Sequence, residues 1–308
     1  QVPFFVLFDF LATLRIVKKE KPEIIHAHWI LPQGFIAYLM KKFYKTPYIV
    51  TAHAGDIFPL KSGLLKWFAR KAIDNAKFCT ANSEYTAQAI KKISPKTNVL
   101  VIPMGVDLKD FSPSKKSAKL KKELNGSPII LSVGRLAEKK GLKYLLLAMP
   151  GVIKRFPKAK LVIIGYGPLR QSLENLAAKL NLQKNVVFLG EKKHKELPAY
   201  YASADIFVAP SIITKSGDTE GLGVVLLESL ASGTPVIGSN VGGIPDIIKH
   251  EKTGLLVEQK NPGQLTRAII RLLSDRKLAR TTVKNSKALL KNTFSWDVIA
   301  DRFAGLLK

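Results

Sequence analysis

The 308-residue sequence predicts an α/β protein with two doubly wound domains, each built on an open parallel sheet. Short apolar runs rich in β-branched residues recur along the chain. They are continuous rather than alternating, which is typical of strands buried on both faces. The segments between them are long enough for crossover helices. A polar, basic stretch at 110–127 interrupts the series, and a chain of this length usually forms about two domains.

Ten strands are predicted, four before the interruption and six after it. The first four are 23–28, 48–53, 78–81 and 99–103. The other six are 129–134, 161–165, 186–190, 205–210, 235–239 and 254–258. Ahead of them, the opening stretch lacks a methionine and has the pattern of an amphipathic helix entered midway, so we expect the natural N-terminus to lie upstream.

The interruption carries Pro and Gly among basic residues, as a linker followed by a surface helix does. We therefore place an N-terminal domain at 1–114 and a C-terminal domain at 115–290. A terminal helix at 291–308 could pack back on the N-terminal domain. Ligands of doubly wound sheets bind outside the carboxyl ends of the strands, so we expect the two domains to face one central cleft.

Charge and cysteine content narrow the function classes. The 49 Lys and Arg residues against 23 Asp and Glu give a net charge of +26, spread over both halves of the chain. This excess favours anionic partners such as phosphate ligands or anionic lipid. No nucleic-acid-binding motif accompanies it, so we expect no nucleic-acid partner. A single cysteine, Cys79, excludes a disulfide framework and fits a reducing compartment.

Candidate ligand contacts follow three strands of the second half. Arg135 and Lys140 come after 129–134 and suit a diphosphate, although a solvated basic loop is the alternative. Gly165 could let the backbone approach a ligand at the start of a helix, or could simply form a turn. Leu189 and Gly190 end a strand where a backbone edge could contact a nucleobase, and a plain turn explains them equally well.

Two glutamates eight residues apart, Glu220 and Glu228, frame the start of a predicted helix. The helical spacing ends at a C-cap glycine, Gly233, and it places Glu220 on the preceding loop and Glu228 inside the helix. Free N–H groups at a helix start attract anions. The groups concerned are those of Gly221, Leu222, Gly223 and Val224. Carboxylates accept hydrogen bonds from hydroxyls, so the arrangement matches a ligand with a sugar, a diphosphate and a ribose. The alternative is that an acidic residue simply stabilises the helix start, which explains Glu220 but not the Gly-x-Gly that follows it.

Six segments stand in order between 128 and 275: SVGRLAEKKG, LVIIGYGPLRQSLE, VVFLG, LPAYYASADIFVAPS, EGLGVVLLESLASGTPVIGSNVGGIPDII and EKTGLLVE. Together they resemble the donor-binding domain of the GT-B glycosyltransferases, specifically glycosyltransferase family 4. The glutamate pair is that family's signature. The first half is similar more loosely, through HAHWILPQG, TAHAGD, SEYTAQAI and IPMGVD.

The resemblance implies a GT-B fold and transfer of a sugar from a nucleotide-diphosphate sugar, with retention of anomeric configuration, to a glycan or lipid-linked acceptor. It assigns Arg135 and Lys140 to the donor diphosphate, Glu228 to the ribose hydroxyls and Glu220 to the donor sugar. The amides of 221–224 and the backbone at 165 and 189–190 complete the donor site. It implies neither metal nor cofactor, because two cations and a helix start can offset diphosphate charge. We expect a role in cell-envelope polysaccharide synthesis.

Three histidines cluster in the predicted first sheet. His26 and His28 share one face of a strand, and His53 ends the next strand. Three imidazoles there could form a zinc site, but the spacing supplies no fourth ligand. The resemblance instead makes His53 a catalytic residue beside the donor sugar. A structural role is the main expectation for His26 and His28, and His28 and Asp56 are also candidates for the acceptor side.

The chain departs from the family pattern in two places. The family usually opens with a strand and a Gly-Gly loop, and this chain begins after that point. The family usually has Gly directly after the histidine, where this chain has Ala54. We therefore expect part of the acceptor pocket to lie upstream. Two other functions stay open: another GT-B activity such as a nucleotide-sugar epimerase, and a non-catalytic nucleotide or polyanion binder.

The segments 41–45 and 61–71 mix basic with large apolar residues. In the second, the residues concerned are Lys61, Leu64, Leu65, Lys66, Trp67, Phe68, Arg70 and Lys71. Such a helix suits the surface of an anionic bilayer, whereas an ordinary amphipathic helix would pack its apolar face on the sheet. We expect a cytoplasmic protein, peripheral at the inner face of the membrane if the first interpretation holds.

Overall fold

The computed structural model describes residues 2–58, 60, 62–125 and 127–307. They form two compact units. The first comprises the chain up to Pro103, the segment Ser216–Gly221 and the chain from Ala300 onward. The second comprises Met104–Lys215 and Leu222–Ile299.

The first unit contains a parallel sheet flanked by helices. Its strands are β1 (Ile25–His28), β2 (Tyr48–Ala52), β3 (Phe78–Ala81) and β4 (Val99–Val101). They lie in the order β1-β2-β3-β4. Its helices are α1 (Val2–Glu20), α2 (Phe35–Tyr44), α3 (Gly63–Asp74) and α4 (Glu84–Ile93). Serine N-caps fix two of the helix starts, since Ser62 accepts the amide of Leu65 and Ser83 that of Thr86.

The second unit contains a larger parallel sheet. Its strands are β5 (Ile129–Val133), β6 (Lys160–Ile164), β7 (Val186–Gly190), β8 (Ile206–Ala209), β9 (Val236–Ser239) and β10 (Leu255–Val257). They lie in the order β10-β9-β8-β5-β6-β7. Its helices are α5 (Ala118–Leu124), α6 (Leu142–Arg155), α7 (Arg170–Lys179), α8 (Leu197–Ser203), α9 (Val224–Ala231), α10 (Ile244–Ile247), α11 (Pro262–Ser274) and α12 (Arg276–Leu289). A last helix, α13 (Trp296–Leu307), begins in the second unit and ends in the first.

Within the described residues, the predicted ten strands and their parallel pairing are confirmed. The continuous apolar runs are strands with two buried faces. In β5, Ile130 packs into one core of the second unit, while Ile129 and Leu131 pack into the other. The strand order reverses between β5 and β8, so the loops that follow these two strands meet at the switch point of the sheet.

The predicted domain boundary at 114 differs from the division of the compact units at Pro103 and Met104. Val106 and Phe111 are buried in a core of the second unit, which they share with strands β5 and β8. The stretch before the linker therefore packs with the second unit, although its composition resembles a connection.

The last helix returns to the first unit. Arg302 donates from Nη2 to the carbonyl oxygen of Val101 at 2.6 Å. The ring of Phe303 lies 5.0 Å from that of His26. These contacts place residues from Ala300 onward at β1 and β4 of the first unit.

Helix α3 presents large apolar side chains outward. Leu64, Leu65 and Trp67 are 65%, 44% and 51% exposed. Its inward face consists of the buried residues Ala69, Ala72 and Ile73. Helix α3 therefore packs part of its apolar face in the core, as an ordinary amphipathic helix does, and leaves three large apolar side chains exposed. Lys61, part of the same predicted segment, lies outside the described residues.

Candidate functional site

The loops after β5 and β8 are packed together at the switch point. A Cβ on Gly141, which has φ of 63°, would collide with the carbonyl oxygen of Pro210. The amide of Ile212 donates to the carbonyl oxygen of Lys139 at 2.8 Å. Glycine at 141 is thus required both by its left-handed backbone and by the approach of the second loop.

Arg135 and Lys140 are carried on the loop after β5. Arg135 is exposed, and Lys140 ends a 3₁₀ turn, Glu138–Lys140. The stem of Lys140 folds back over Gly134, whose Cβ position would lie 3.4 Å from Cε and 3.8 Å from Nζ. The Lys140 ammonium group is therefore held at the carboxyl end of β5.

The glycines after β6 are explained by packing between loops. A Cβ on Gly165 would collide with the carbonyl oxygen of Gly134, and one on Gly167 would lie 2.5 Å from that of Leu136. Helix α7 begins only at Arg170. Close packing between loops is therefore enough to explain these glycines. Contact between the donor and the backbone at Gly165 stays a prediction.

The guanidinium group of Arg170, the first residue of α7, lies at the carboxyl end of β7, and the sequence patterns did not single it out. Gly190 has φ of 70° and accepts the amide of Gly165 at 2.8 Å. Arg170 lies beside it, with Nη1 3.5 Å from the Cβ position of Gly190. Its Nε donates to Glu174 at 2.9 Å. The signal available in the sequence was the arginine that opens the helix after the glycines. Leu189 is half-buried here, and its contact with a base stays a prediction.

Glu228 lies inside α9, as predicted from the helical spacing. The helix begins after Gly223, which has φ of 94°. The Glu228 side chain is 10% exposed, and its Oε2 accepts the Tyr201 hydroxyl at 2.7 Å. Its Oε1 lies 3.6 Å from Nε2 of His194, an exposed side chain. Sequence reasoning missed both neighbours of this carboxylate, because they lie on α8 and the turn before it.

The two signature glutamates belong to different compact units. Glu220 is half-buried on the loop before α9, in the segment Ser216–Gly221 that groups with the first unit. A Cβ on Gly221 would lie 2.8 Å from that of Ala54 and 3.0 Å from Nδ2 of Asn82. Glycine at 221 therefore lets this segment pack against the loops after β2 and β3. The remaining amides of the predicted set, at Leu222, Gly223 and Val224, belong to the second unit.

The three histidines contact one another in the first unit. Nδ1 of His28 and Nε2 of His53 are 2.9 Å apart, so one ring nitrogen donates and the other accepts. His26 bonds Oγ1 of Thr51 through Nε2 at 2.7 Å. Burial, together with the neighbouring His28 and His53, lowers the pKa of His26 to about 4. Burial is also the main reason that the pKa values of His28 and His53 lie below the ordinary value.

This geometry argues against the zinc alternative. Two of the ring nitrogens point at each other instead of at a common ion. In the part of the chain that the structure describes, no group of three His, Cys, Asp or Glu side chains is arranged to hold a metal ion.

Asp56 joins two loops of the first unit. It is buried, and its oxygens accept hydrogen bonds from the amides of Ile30 at 2.7 Å and His53 at 2.9 Å. Both oxygens thus hold the backbone in place, and the assignment of Asp56 to the acceptor side stays a prediction. Ala54, which directly follows His53, has φ of 75°, a left-handed conformation. This explains why a glycine suits the position after the histidine.

Comparisons with known proteins cover nearly the whole chain. Residues 114–289 match the family model of glycosyl transferases group 1, and residues 2–110 match that of glycosyltransferase family 4. An uncharacterised glycosyltransferase of Methanocaldococcus jannaschii is 32% identical over 312 residues, covering 96% of this chain and 77% of the relative. A GDP-mannose-dependent alpha-(1-6)-phosphatidylinositol monomannoside mannosyltransferase of Mycolicibacterium smegmatis is 31% identical, covering 95% of this chain and 78% of the relative.

Solved structures resemble the chain over the same extent. Sucrose-phosphate synthase from Thermosynechococcus elongatus superposes with a TM-score of 0.84 at 28% identity, over 97% of this chain and 76% of that chain. Anabaena HepE in complex with UDP gives a TM-score of 0.85 at 20% identity, over 97% of this chain and 81% of that chain. The likeness to HepE concerns the fold alone.

Proposed function

The chain belongs to the glycosyl transferases group 1 family and is a GT-B glycosyltransferase that uses a nucleotide-sugar donor, and from this premise we propose that it transfers the sugar with retention of anomeric configuration to a glycan or lipid-linked acceptor. The observation that carries the proposal is the contact of two loops at the switch point of the second sheet. One loop holds Arg135 and Lys140, and the other leads to α9 and Glu228.

In the proposed mechanism, the bond from the anomeric carbon to the donor diphosphate breaks, an acceptor hydroxyl oxygen bonds to that carbon, and the hydroxyl proton passes to the leaving diphosphate, on which negative charge has grown. Arg135 and Lys140 offset that charge, and the amides of Leu222, Gly223 and Val224 add a helix start. Cations already in place stabilise the charged transition state more than the ground state, and so they raise the rate. The mechanism is proposed to need no metal ion.

The remaining donor groups are assigned to three side chains. Glu228 accepts hydrogen bonds from the ribose hydroxyls, and Glu220 from hydroxyls of the donor sugar. His53 contacts the donor sugar through its remaining ring nitrogen, since Nε2 already bonds His28. The lowered pKa of His53 keeps its imidazole neutral at neutral pH, so it acts as a hydrogen-bonding group and not as a cation.

A nucleotide panel followed by a transfer assay tests the function. Saturation with the matching nucleoside diphosphate at 100 times its dissociation constant should stabilise the fold by about 2.7 kcal/mol. The panel includes GDP and UDP, because relatives and neighbours are named for GDP-mannose and UDP. Turnover only with an added acceptor supports transfer, and the anomeric configuration of the product tests retention. Inversion at C2 of the sugar would favour the epimerase, and nucleotide binding without turnover would favour the non-catalytic binder.

Chelation is expected to leave the transfer rate unchanged, because two cations and a helix start can serve the diphosphate in place of Mg²⁺. The measurement is the rate with and without excess EDTA, using a known metal-dependent transferase as the assay control. Loss of activity that Mn²⁺ or Zn²⁺ restores would contradict metal independence.

The proposed acceptor lies at an anionic bilayer. Helix α3 exposes Leu64, Leu65 and Trp67, and the same helix carries the cations Lys66 and Lys71. Nζ of Lys71 lies 5.6 Å from the centre of the Trp67 ring. Large apolar residues set among cations are the composition of helices that lie in the lipid interface. The relative of Mycolicibacterium smegmatis is named for a phosphatidylinositol-linked acceptor, which supports a lipid-linked class here. Among the described helices, none is long and apolar enough to cross a membrane.

Co-sedimentation should increase when phosphatidylglycerol is added to phosphatidylcholine vesicles, and should fall with salt. The double variant Lys66→Glu/Arg70→Glu should lower binding by about tenfold or more, since each basic residue near such a surface contributes about 1 kcal/mol. Arg70 also bonds the carbonyl oxygen of Ile93, so Lys66→Glu alone separates surface charge from folding.

The matched control for this experiment is Lys158→Glu, which makes the same charge change at an exposed site of the second unit. Equal recovery with neutral and anionic vesicles, or with Lys66→Glu and the control, would argue for an acceptor in solution.

A further inference from the structure

The two oxygens of the Glu228 carboxylate lie in different surroundings. Oε2 accepts the hydroxyl of Tyr201 at 2.7 Å. Oε1 lies 3.6 Å from Nε2 of His194, whose side chain is 69% exposed. A ligand that approaches from the side of His194 therefore meets Oε1 first, while Oε2 is bonded to a buried hydroxyl.

Tyr201 is itself held from three directions. Its residue is fully buried in α8. Its ring centre lies 5.8 Å from that of Phe111 and 5.5 Å from that of Phe207. Its carbonyl oxygen accepts the hydroxyl of Thr234 at 2.6 Å. With ring and backbone both confined, the hydroxyl has one position in which to donate.

We propose that Tyr201 is a positioning residue that orients the Glu228 carboxylate for recognition of the donor ribose. The proposal rests on the ribose role of Glu228 given above. A carboxylate on a flexible side chain binds hydroxyls well only when it is held at one angle, and a fixed donor on Oε2 sets the angle at which Oε1 is presented.

The hydroxyl can act as a donor throughout the accessible pH range. Burial first, and the neighbouring Glu228 carboxylate second, raise the pKa of Tyr201 well above its ordinary value. The phenol stays protonated, so the O–H always points its hydrogen at Oε2. Removing it leaves a nearly buried carboxylate oxygen without its partner, and the side chain gains rotational freedom.

The test compares two ligands on the full chain: the nucleoside diphosphate that binds best and its 2′,3′-dideoxy counterpart. The wild-type protein should bind the ribose form more tightly. Tyr201→Phe should lower this preference by about tenfold, the size expected for a lost hydrogen bond to a charged group. The affinity of Tyr201→Phe for the dideoxy form should equal that of the wild-type protein, because that ligand has no 2′ and 3′ hydroxyls to donate hydrogen bonds to Glu228. A structural defect would weaken both ligands alike.

Tyr200→Phe is the matched control. It removes the same hydroxyl from the neighbouring position of α8, where the ring lies under Nζ of Lys192 instead of beside Glu228. A second variant, Phe111→Leu, keeps the Tyr201 hydroxyl but loosens its ring, and should lower the preference by a smaller factor. If Tyr201→Phe fails to fold, Phe111→Leu still tests whether the position of the Tyr201 ring affects the preference for the ribose form.

The outcomes separate this inference from the proposed function. A wild-type protein that binds no nucleoside diphosphate, or binds both forms equally, would overturn the ribose role of Glu228 and the inference with it. A wild-type preference that Tyr201→Phe and Phe111→Leu leave intact would overturn the positioning role alone. A preference that falls in both variants and not in Tyr200→Phe supports it.

Discussion

Replacing Arg135 or Lys140 by alanine is expected to lower the turnover number by about 10²–10³-fold, with a much smaller loss of donor affinity. The physical reason is that diphosphate charge grows as the sugar leaves, so a cation at the carboxyl end of β5 interacts more strongly with the transition state than with the bound donor. The Lys140 side chain lies close to Gly134 at this end of β5.

The measurement is the turnover number alongside the dissociation constant of the donor. Lys143→Ala is the matched control, because it removes one exposed cation from the start of the adjacent helix α6. Parallel losses in affinity and rate would show that these cations bind donor and transition state equally, contrary to the proposed mechanism.

Glu228→Ala is expected to weaken nucleotide binding by about 10–100-fold, and turnover at limiting donor with it. The ribose hydroxyls lose their acceptor, and the Tyr201 hydroxyl is left unpaired in a buried position. Glu228→Gln keeps the shape and one acceptor oxygen, so its loss should be smaller.

Calorimetry with the nucleoside diphosphate measures this effect directly. Glu123→Gln serves as the control, because it removes a carboxylate charge from exposed helix α5, where Glu123 pairs only at 3.9 Å with Lys119. Wild-type nucleotide affinity in Glu228→Ala would refute the ribose role.

Local patterns identify the strands of this protein well. The runs at 78–81 and 186–190 are strands with the predicted bounds. Such patterns suffice because strands covered by helices on both faces are rich in apolar and β-branched residues, and turn residues follow them. The same local logic locates Glu228 inside a helix and Arg135 and Lys140 after a strand.

Tertiary packing decided what these residues touch. Tyr201 lies 27 positions from Glu228 and meets it only because α8 and α9 pack together. The motif around Asp56 does not show that its carboxylate accepts hydrogen bonds from the amides of Ile30 and His53, which lie after two different strands.

The sequence by itself determined the doubly wound class, the strand positions and the candidate donor groups, because each depends on neighbours a few positions away. Only the tertiary structure decided that Ser216–Gly221 groups with the first unit, that Met104 groups with the second, and that Trp67 points outward. Those outcomes depend on which surfaces distant segments bury against each other. The local pattern of apolar and polar residues is compatible with more than one such arrangement, and close packing selects among them.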